Sequence, residues 1–349
     1  MSALSAYHSA NYYSKCPQDS QFLSSWLYLV YPLHYSNVFF IPMSILAGYC
    51  ILFKTPKAMQ PMKWVYFNLH AWIFFQSVYV SLLVTPYVWV PTFSGSFLGL
   101  LGKIGVSDVL QAYVGCNTLI VSMSATVSLF ENRHQQIQRN RLRLTSRALR
   151  YSIQAFNYLY AILYPFPVYR DIPDQTEARF AVLKAIPCPF EDFFSLPFYA
   201  FSIDPLMQTY FAISLMIGLL ITISQLIFYS STCLYYLVFK QPSHSSRVTN
   251  TRQKKFFLGI LVQISIPYAL MSPGMMYVSW SMLSGYYSQK LNNLAFLILG
   301  TYGLAATLAL LLIHSPYREF VKQLIGFDKK TSNQGSAVGD KRGVAFASV

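Results

Sequence analysis

Two short constellations hold most of the chemistry open to this chain. Asp108 and Gln111 stand three positions apart beside a long uncharged stretch, and Glu131-Asn132-Arg133 lies near the start of SLFENRHQQIQRNRLRLTSRALRYS (residues 128–152), a run with six arginines and one carboxylate. An acid at membrane depth can face a ligand cavity, pair across helices, or sit at the headgroup boundary. An arginine-rich run can grip nucleic acid, face solvent, or border a lipid layer. Catalysis has no comparable footing. There is no G-x-S-x-G, H-E-x-x-H or Walker motif and no pair of carboxylates within an uncharged stretch, so no enzyme is expected. The five cysteines include no C-x-x-C, and the six histidines do not fall at ligand spacing, so neither a metal nor another cofactor is expected.

The elements that must position these residues follow from where charge is missing. The 349 residues are 54% hydrophobic and 11% charged, whereas soluble domains carry about 25% charged residues. Marking Asp, Glu, Lys and Arg leaves seven long gaps, at 20–53, 64–102, 109–130, 151–169, 205–239, 256–289 and 291–317. A helix needs about 20 residues to cross the hydrocarbon layer, so each gap accommodates one span. The second is long enough for two, but TPYVWVPTFSGSFLG fills its second half with proline and glycine and reads as a loop. The expected fold is therefore an all-α membrane protein, a seven-transmembrane helix bundle with spans near 22–52, 64–86, 104–130, 149–168, 206–238, 256–280 and 291–313. Residues 1–21 form a tail with no removable signal peptide. Residues 316–327 have Tyr317, Phe320, Val321 and Leu324 near one face and read as an interfacial amphipathic helix, and 328–349 as a flexible tail.

Charge also orients the bundle. Grouping the N-terminus with alternate connections gives 6 basic and 8 acidic residues, against 20 basic and 4 acidic on the opposite side. The side rich in lysine and arginine faces the cytosol, which puts the N-terminus outside and the C-terminus in the cytosol. The positive charge is thus divided among short segments along one membrane face, where it neutralises anionic lipid headgroups, and a nucleic-acid partner is not expected. Cys16 and Cys188 both fall in outer segments and form the natural disulfide pair in an oxidising environment. Pro267 and Pro273 lie within the sixth span, where each removes a backbone donor and bends a helix.

Eight stretches, in order, resemble the nematode serpentine chemoreceptors of class H (Srh) in the Str-like group of G-protein-coupled receptors: PMSILAGYCILFKTP (42–56), KWVYFNLHAW (63–72), FENR (130–133), IPDQTEARFAVLKAIPCP (172–189), QKKFF (253–257), QISIP (263–267), YYSQKLNN (286–293) and HSPYR (314–318). The resemblance implies a chemosensory receptor that binds a small external ligand, activates a heterotrimeric G protein, and resides in the plasma membrane or cilium of sensory neurons. Glu131-Asn132-Arg133 is similar to the Asp/Glu-Arg-Tyr motif of rhodopsin-like receptors, with the arginine displaced by one and no tyrosine after it. Ser315-Pro316-Tyr317-Arg318, preceded by His314, stands where those receptors carry Asn-Pro-x-x-Tyr. Their third-helix cysteine has no counterpart here, which supports Cys188 pairing with Cys16. On this reading Asp108 and Gln111 face the ligand, while Glu131, Asn132, Arg133, Lys254 and Lys255 face the G protein. The rival classes are a small-solute transporter or channel and a non-signalling membrane scaffold or trafficking partner. An odd span count and the lack of two related halves speak against the first.

Overall fold

A computed structural model of the chain describes residues 7–8, 12–16, 21–137, 140–239 and 247–326. The expected tail at 328–349 and Phe327, the last residue of the expected amphipathic helix, lie outside them. The principal helices are α1 (Trp26–Phe53), α2 (Lys63–Val78), α3 (Asp108–Gln136), α4 (Arg147–Leu163), α5 (Pro205–Val238), α6 (Arg247–Ser284), α7 (Gln289–Ile313) and α8 (Ser315–Ile325). Among the described residues six helical runs are long and apolar enough to cross a membrane: α1, α3, α5, α7, the run Met59–Val84 that extends α2 at both ends, and Gln253–Ser284 of α6. With 17 residues, α4 is shorter; Pro165 follows it and a 3-10 turn, Phe166–Tyr169, completes the apolar stretch.

Local sequence explains where the helices begin. Ser25 Oγ accepts the Leu27 N–H at the start of α1 (3.3 Å), Ser146 Oγ that of Leu149 at α4 (3.3 Å), and Asp204 Oδ1 that of Leu206 at α5 (2.9 Å). Each satisfies a backbone donor that the helix leaves unpaired. Hydropathy locates the lipid layer and not the helix ends, which accounts for three differences between expected spans and observed helices. The third span begins at Asp108 and not at 104, because Gly105 turns the chain at φ 79°. It runs on to Gln136, so Glu131, Asn132 and Arg133 belong to its last turns. The sixth begins at Arg247 and not at 256, since RVTNTRQKK is too polar for lipid yet rich in Arg, Lys and Gln, which favour helix.

The bundle is organised around α3 and α7. α3 packs on α2, α4 and α5, and α7 on α1, α2 and α6. Small residues permit the closest approach: a Cβ at Gly303 of α7 would lie 2.1 Å from Ser77 Oγ of α2.

The segment expected to be a loop after the second span forms a hairpin instead, β1 (Pro86–Val88) and β2 (Ser94–Phe97), joined by β3 (Tyr199–Ala200) into an antiparallel sheet in the order β1-β2-β3. Alternation of Tyr87, Trp89 and their neighbours buries large rings under the sheet, and Trp89, Tyr87 and Phe193 are fully covered. Burying side chains of this size contributes about 1.5–3 kcal/mol each. Glycine supplies the close approach that the hairpin requires. At Gly99 a Cβ would stand 2.4 Å from Leu83 O and 2.6 Å from Val84 N, both backbone atoms that cannot rotate aside. Gly99→Ala should therefore cost at least the roughly 1–3 kcal/mol of an overpacked core. The expected result is a lower melting temperature in detergent and loss of most cell-surface protein; wild-type values for both would contradict this close packing.

Candidate ligand cavity and the charged face opposite it

A cavity of about 220 Å³ lies between the bundle and the hairpin layer. Its walls come from α2, α3, α5, α6, α7 and the sheet, and among the described residues no Asp, Glu, Lys, Arg or His lines it. The last turns of α2 wind as a π-helix, Tyr79–Val84, a distortion frequent at functional sites, and bring Tyr79, Val80 and Val84 to the wall. Gln111 is fully buried in that wall. Its Nε2 donates to Val106 O (2.8 Å), Tyr79 OH donates to its backbone carbonyl (2.8 Å), and its Oε1 has no partner among the described residues. Asp108, expected beside Gln111, is only half-buried at the first residue of α3 and does not line the cavity. A carboxylate there suits the positive end of the helix; the cavity begins one turn further on.

The cavity floor leads into a column of polar contacts. Gln76 Oε1 lies within hydrogen-bond distance of Ser122 Oγ (2.6 Å) and Tyr302 OH (2.7 Å). Beyond them come voids of about 10, 20 and 10 Å³, the first two bordered by Ser122, Pro267, Tyr268 and Tyr302, the last by Tyr66 and His70, with Gln263 on the second and third. Each approaches the space of a single water. The column ends in a triad. Tyr66 of α2 donates its hydroxyl hydrogen to Gln263 Oε1 of α6, and His314 Nε2 lies 2.8 Å from both Gln263 Oε1 and Tyr66 OH. Gln263 Oε1 only accepts, so the imidazole proton belongs on Nε2. Four residues after Gln263, Pro267 lacks the N–H that would bond the Gln263 carbonyl, although α6 continues as one helix through Pro267 and Pro273. Next door, Tyr317 OH is 2.8 Å from Thr55 Oγ1, docking α8 against the end of α1.

At the α8 end the expected cluster is divided. Glu131 is buried and committed: its carboxylate accepts from Arg150 Nε (2.6 Å) and Nη2 (3.1 Å) and from Gln154 Nε2 (3.0 Å) of α4. It is therefore a structural anchor and not an open contact. The reason is Arg150, 19 positions on, which α4 returns to the same level. Arg133 is buried too, but it makes one long bond, Nη1 to Gln136 Oε1 (3.4 Å), lies over the Phe256 ring (5.7 Å), and leaves Nε and Nη2 without partners among the described residues. Asn132 Oδ1 accepts from Gln136 Nε2 (2.6 Å). Lys254 is half-buried and Lys255 exposed on the same end of α6. Ser315, Pro316 and Arg318 form the first turn of α8, where Arg318 Nη1 donates to Leu312 O (3.1 Å).

Three buried amides without a role in the sequence reading fasten the hairpin and the segment that enters α1. Asn293 Nδ2 donates to Leu23 O (3.0 Å) and Ser25 O (3.1 Å), Asn292 Nδ2 to Val90 O (3.1 Å), and Gln289 Nε2 to Val88 O (3.1 Å). The signal was the amide cluster of QKLNN at a helix start, where side chains reach the carbonyls of adjoining loops. The Cys16–Cys188 disulfide ties the N-terminal segment to the connection before α5. In that connection Asp192 Oδ2 accepts from the Trp26 N–H (2.8 Å), and burial pushes its carboxyl above the ordinary range, opposed by this bond and by one from Tyr87 OH.

A helical membrane-spanning bundle with a lidded apolar cavity at one end and a buried arginine at the other is the architecture of a G-protein-coupled receptor. The fold matches the crystal structure of squid rhodopsin with a TM-score of 0.59, covering 88% of this chain and 87% of that one at 10% identity. Residues 24–327 match the model of the family described as serpentine type 7TM GPCR chemoreceptor Srh. The chain is 32% identical over 333 residues to the Caenorhabditis elegans protein Serpentine receptor class H-72, spanning 94% of each. It belongs to the Srh family, whose members are signalling receptors and not enzymes.

Proposed function

We propose that this chain is a chemosensory receptor that binds a small ligand in the 220 Å³ cavity and activates a heterotrimeric G protein at the α8 end. The observation that carries the reading is the continuity of the polar column from the cavity floor at Gln76 to the Gln263 triad on α6. It gives a ligand two states to discriminate, since a shift of α6 cannot preserve all the bonds to Gln263. In this reading seven spans cross the membrane, α4 being the shortest, with the N-terminus and the sheet outside and α8 along the cytosolic leaflet. The plasma membrane or the cilium of a sensory neuron is its place.

Arg133 is the group that meets the G protein. Its two unpaired nitrogens gain acceptors when α6 and Phe256 move away and partner carbonyls or carboxylates enter. Lys254 and Lys255 border the same opening. Expressed with a reporter G protein and screened against volatile and water-soluble chemicals, the chain should give a reproducible response. Arg133→Ala should abolish that response at unchanged surface level, and an unaltered response would remove Arg133 from this role.

A further inference from the structure

We infer that the cavity takes an electrically neutral, mainly apolar molecule, about the size of a substituted benzene, that donates one hydrogen bond to Gln111 Oε1. The inference rests on the receptor reading above and adds the chemical class of its ligand.

Size comes first. An apolar cavity of about 150 Å³ admits benzene, so about 220 Å³ leaves room for a ring with a short substituent. Charge comes second. With no Asp, Glu, Lys, Arg or His on the wall among the described residues, an ammonium or carboxylate entering the cavity would surrender its hydration and find no counter-ion. Amino acids, amines and organic acids are thereby disfavoured, whatever their shape.

The third observation is the amide. Val106 O holds Gln111 Nε2, and this fixes which way the amide faces. The oxygen left over is an acceptor, buried and unpartnered, and only a donor satisfies it. The neighbouring polar groups are already engaged: Tyr164 OH donates to Cys116 O (3.0 Å), Thr118 Oγ1 to Gly115 O (2.9 Å), and Tyr79 OH to Gln111 O. On α6 the wall includes Met271, Met275 and Met282, whose unbranched thioethers repack around different skeletons. Selection therefore rests on neutrality and a donor more than on outline.

The test applies 2-phenylethanol, its methyl ether, 2-phenylethylamine and phenylacetate, and the same four head groups on a hexyl chain, to the full-length chain. Two readouts run in parallel: the G-protein reporter in cells and the melting temperature of the purified protein in detergent. The alcohols should act at concentrations about tenfold lower than the ethers, the weight of one hydrogen bond, and the charged members should do nothing. Gln111→Leu should bring alcohol and ether to the same concentration. Gly115→Leu, where the nearest side-chain atom to the new Cβ is Tyr79 Cε1 at 3.7 Å, fills the cavity and should abolish stabilisation by every compound. The inference is overturned if an amine or acid stabilises better than its alcohol, if alcohol and ether are equal on the unaltered chain, or if no compound stabilises it. Stabilisation by the alcohols with no reporter output would leave the ligand class standing and overturn the receptor reading instead.

Discussion

Replacing Gln263 with leucine should raise ligand-independent signalling by about an order of magnitude. The substitution keeps the side chain's bulk and removes the acceptor on which Tyr66 and His314 converge. The two remaining groups still bond each other at 2.8 Å, so neither is stranded, and the loss falls on the tie between α6 and its neighbours. Each such bond contributes about 0.5–1.5 kcal/mol net, and about 1.4 kcal/mol shifts an equilibrium tenfold. In the mechanism proposed above the shift favours the open state, because the triad is made with α6 packed inward. Here α6 packs inward, with Phe257 buried against Phe130 and Phe256 over Arg133. Tyr66→Phe should act in the same direction but less, since His314 keeps its bond to Gln263. Basal reporter output, normalised to surface level with no chemical added, measures both. Output at or below wild type in Gln263→Leu would show that the triad does not hold the closed state.

The contrast between this triad and the opening motif shows what sequence could carry. Membrane character was legible because charge is excluded from hydrocarbon, and the family because short stretches such as HSPYR and FENR kept their order. The Cys16–Cys188 pair was readable since only those two cysteines fall outside the uncharged stretches. Partners were another matter. Tyr66, Gln263 and His314 are 51 to 248 positions apart, and nothing local marks them as neighbours. The hairpin was hidden by its own glycines, which read as breakers although Gly95 and Gly99 are there to let backbones approach. Of the pair Asp108 and Gln111, the one that lines the cavity is the uncharged amide one turn later. Burial without a partner, the property that distinguishes Gln111 and Arg133, belongs to the fold and cannot be seen in residue type.

The largest loss of stability should follow Arg150→Met. Glu131 presents only 3% of its side chain to solvent and makes two of its three bonds with Arg150. Removing the guanidinium leaves a buried carboxylate held by Gln154 alone, and breaking such a pair costs about 3–5 kcal/mol. The reverse deletion is gentler. After Glu131→Gln the stranded group is Arg150, whose side chain is 25% exposed and can turn its charge toward water. The prediction is thus an asymmetry: Arg150→Met should remove most of the surface protein and lower the melting temperature well below that of Glu131→Gln. Glu131→Leu combined with Arg150→Met should recover most of the loss, because an apolar pair of similar bulk has no charge left to strand. Equal damage from the two single substitutions, with no recovery in the double, would mean that the arginine serves α4 in some other way. Recovery of the fold would also separate the two members of the opening motif. The double variant, folded but lacking Glu131, should keep its response to ligand, because the G-protein contact proposed above is Arg133 and not Glu131.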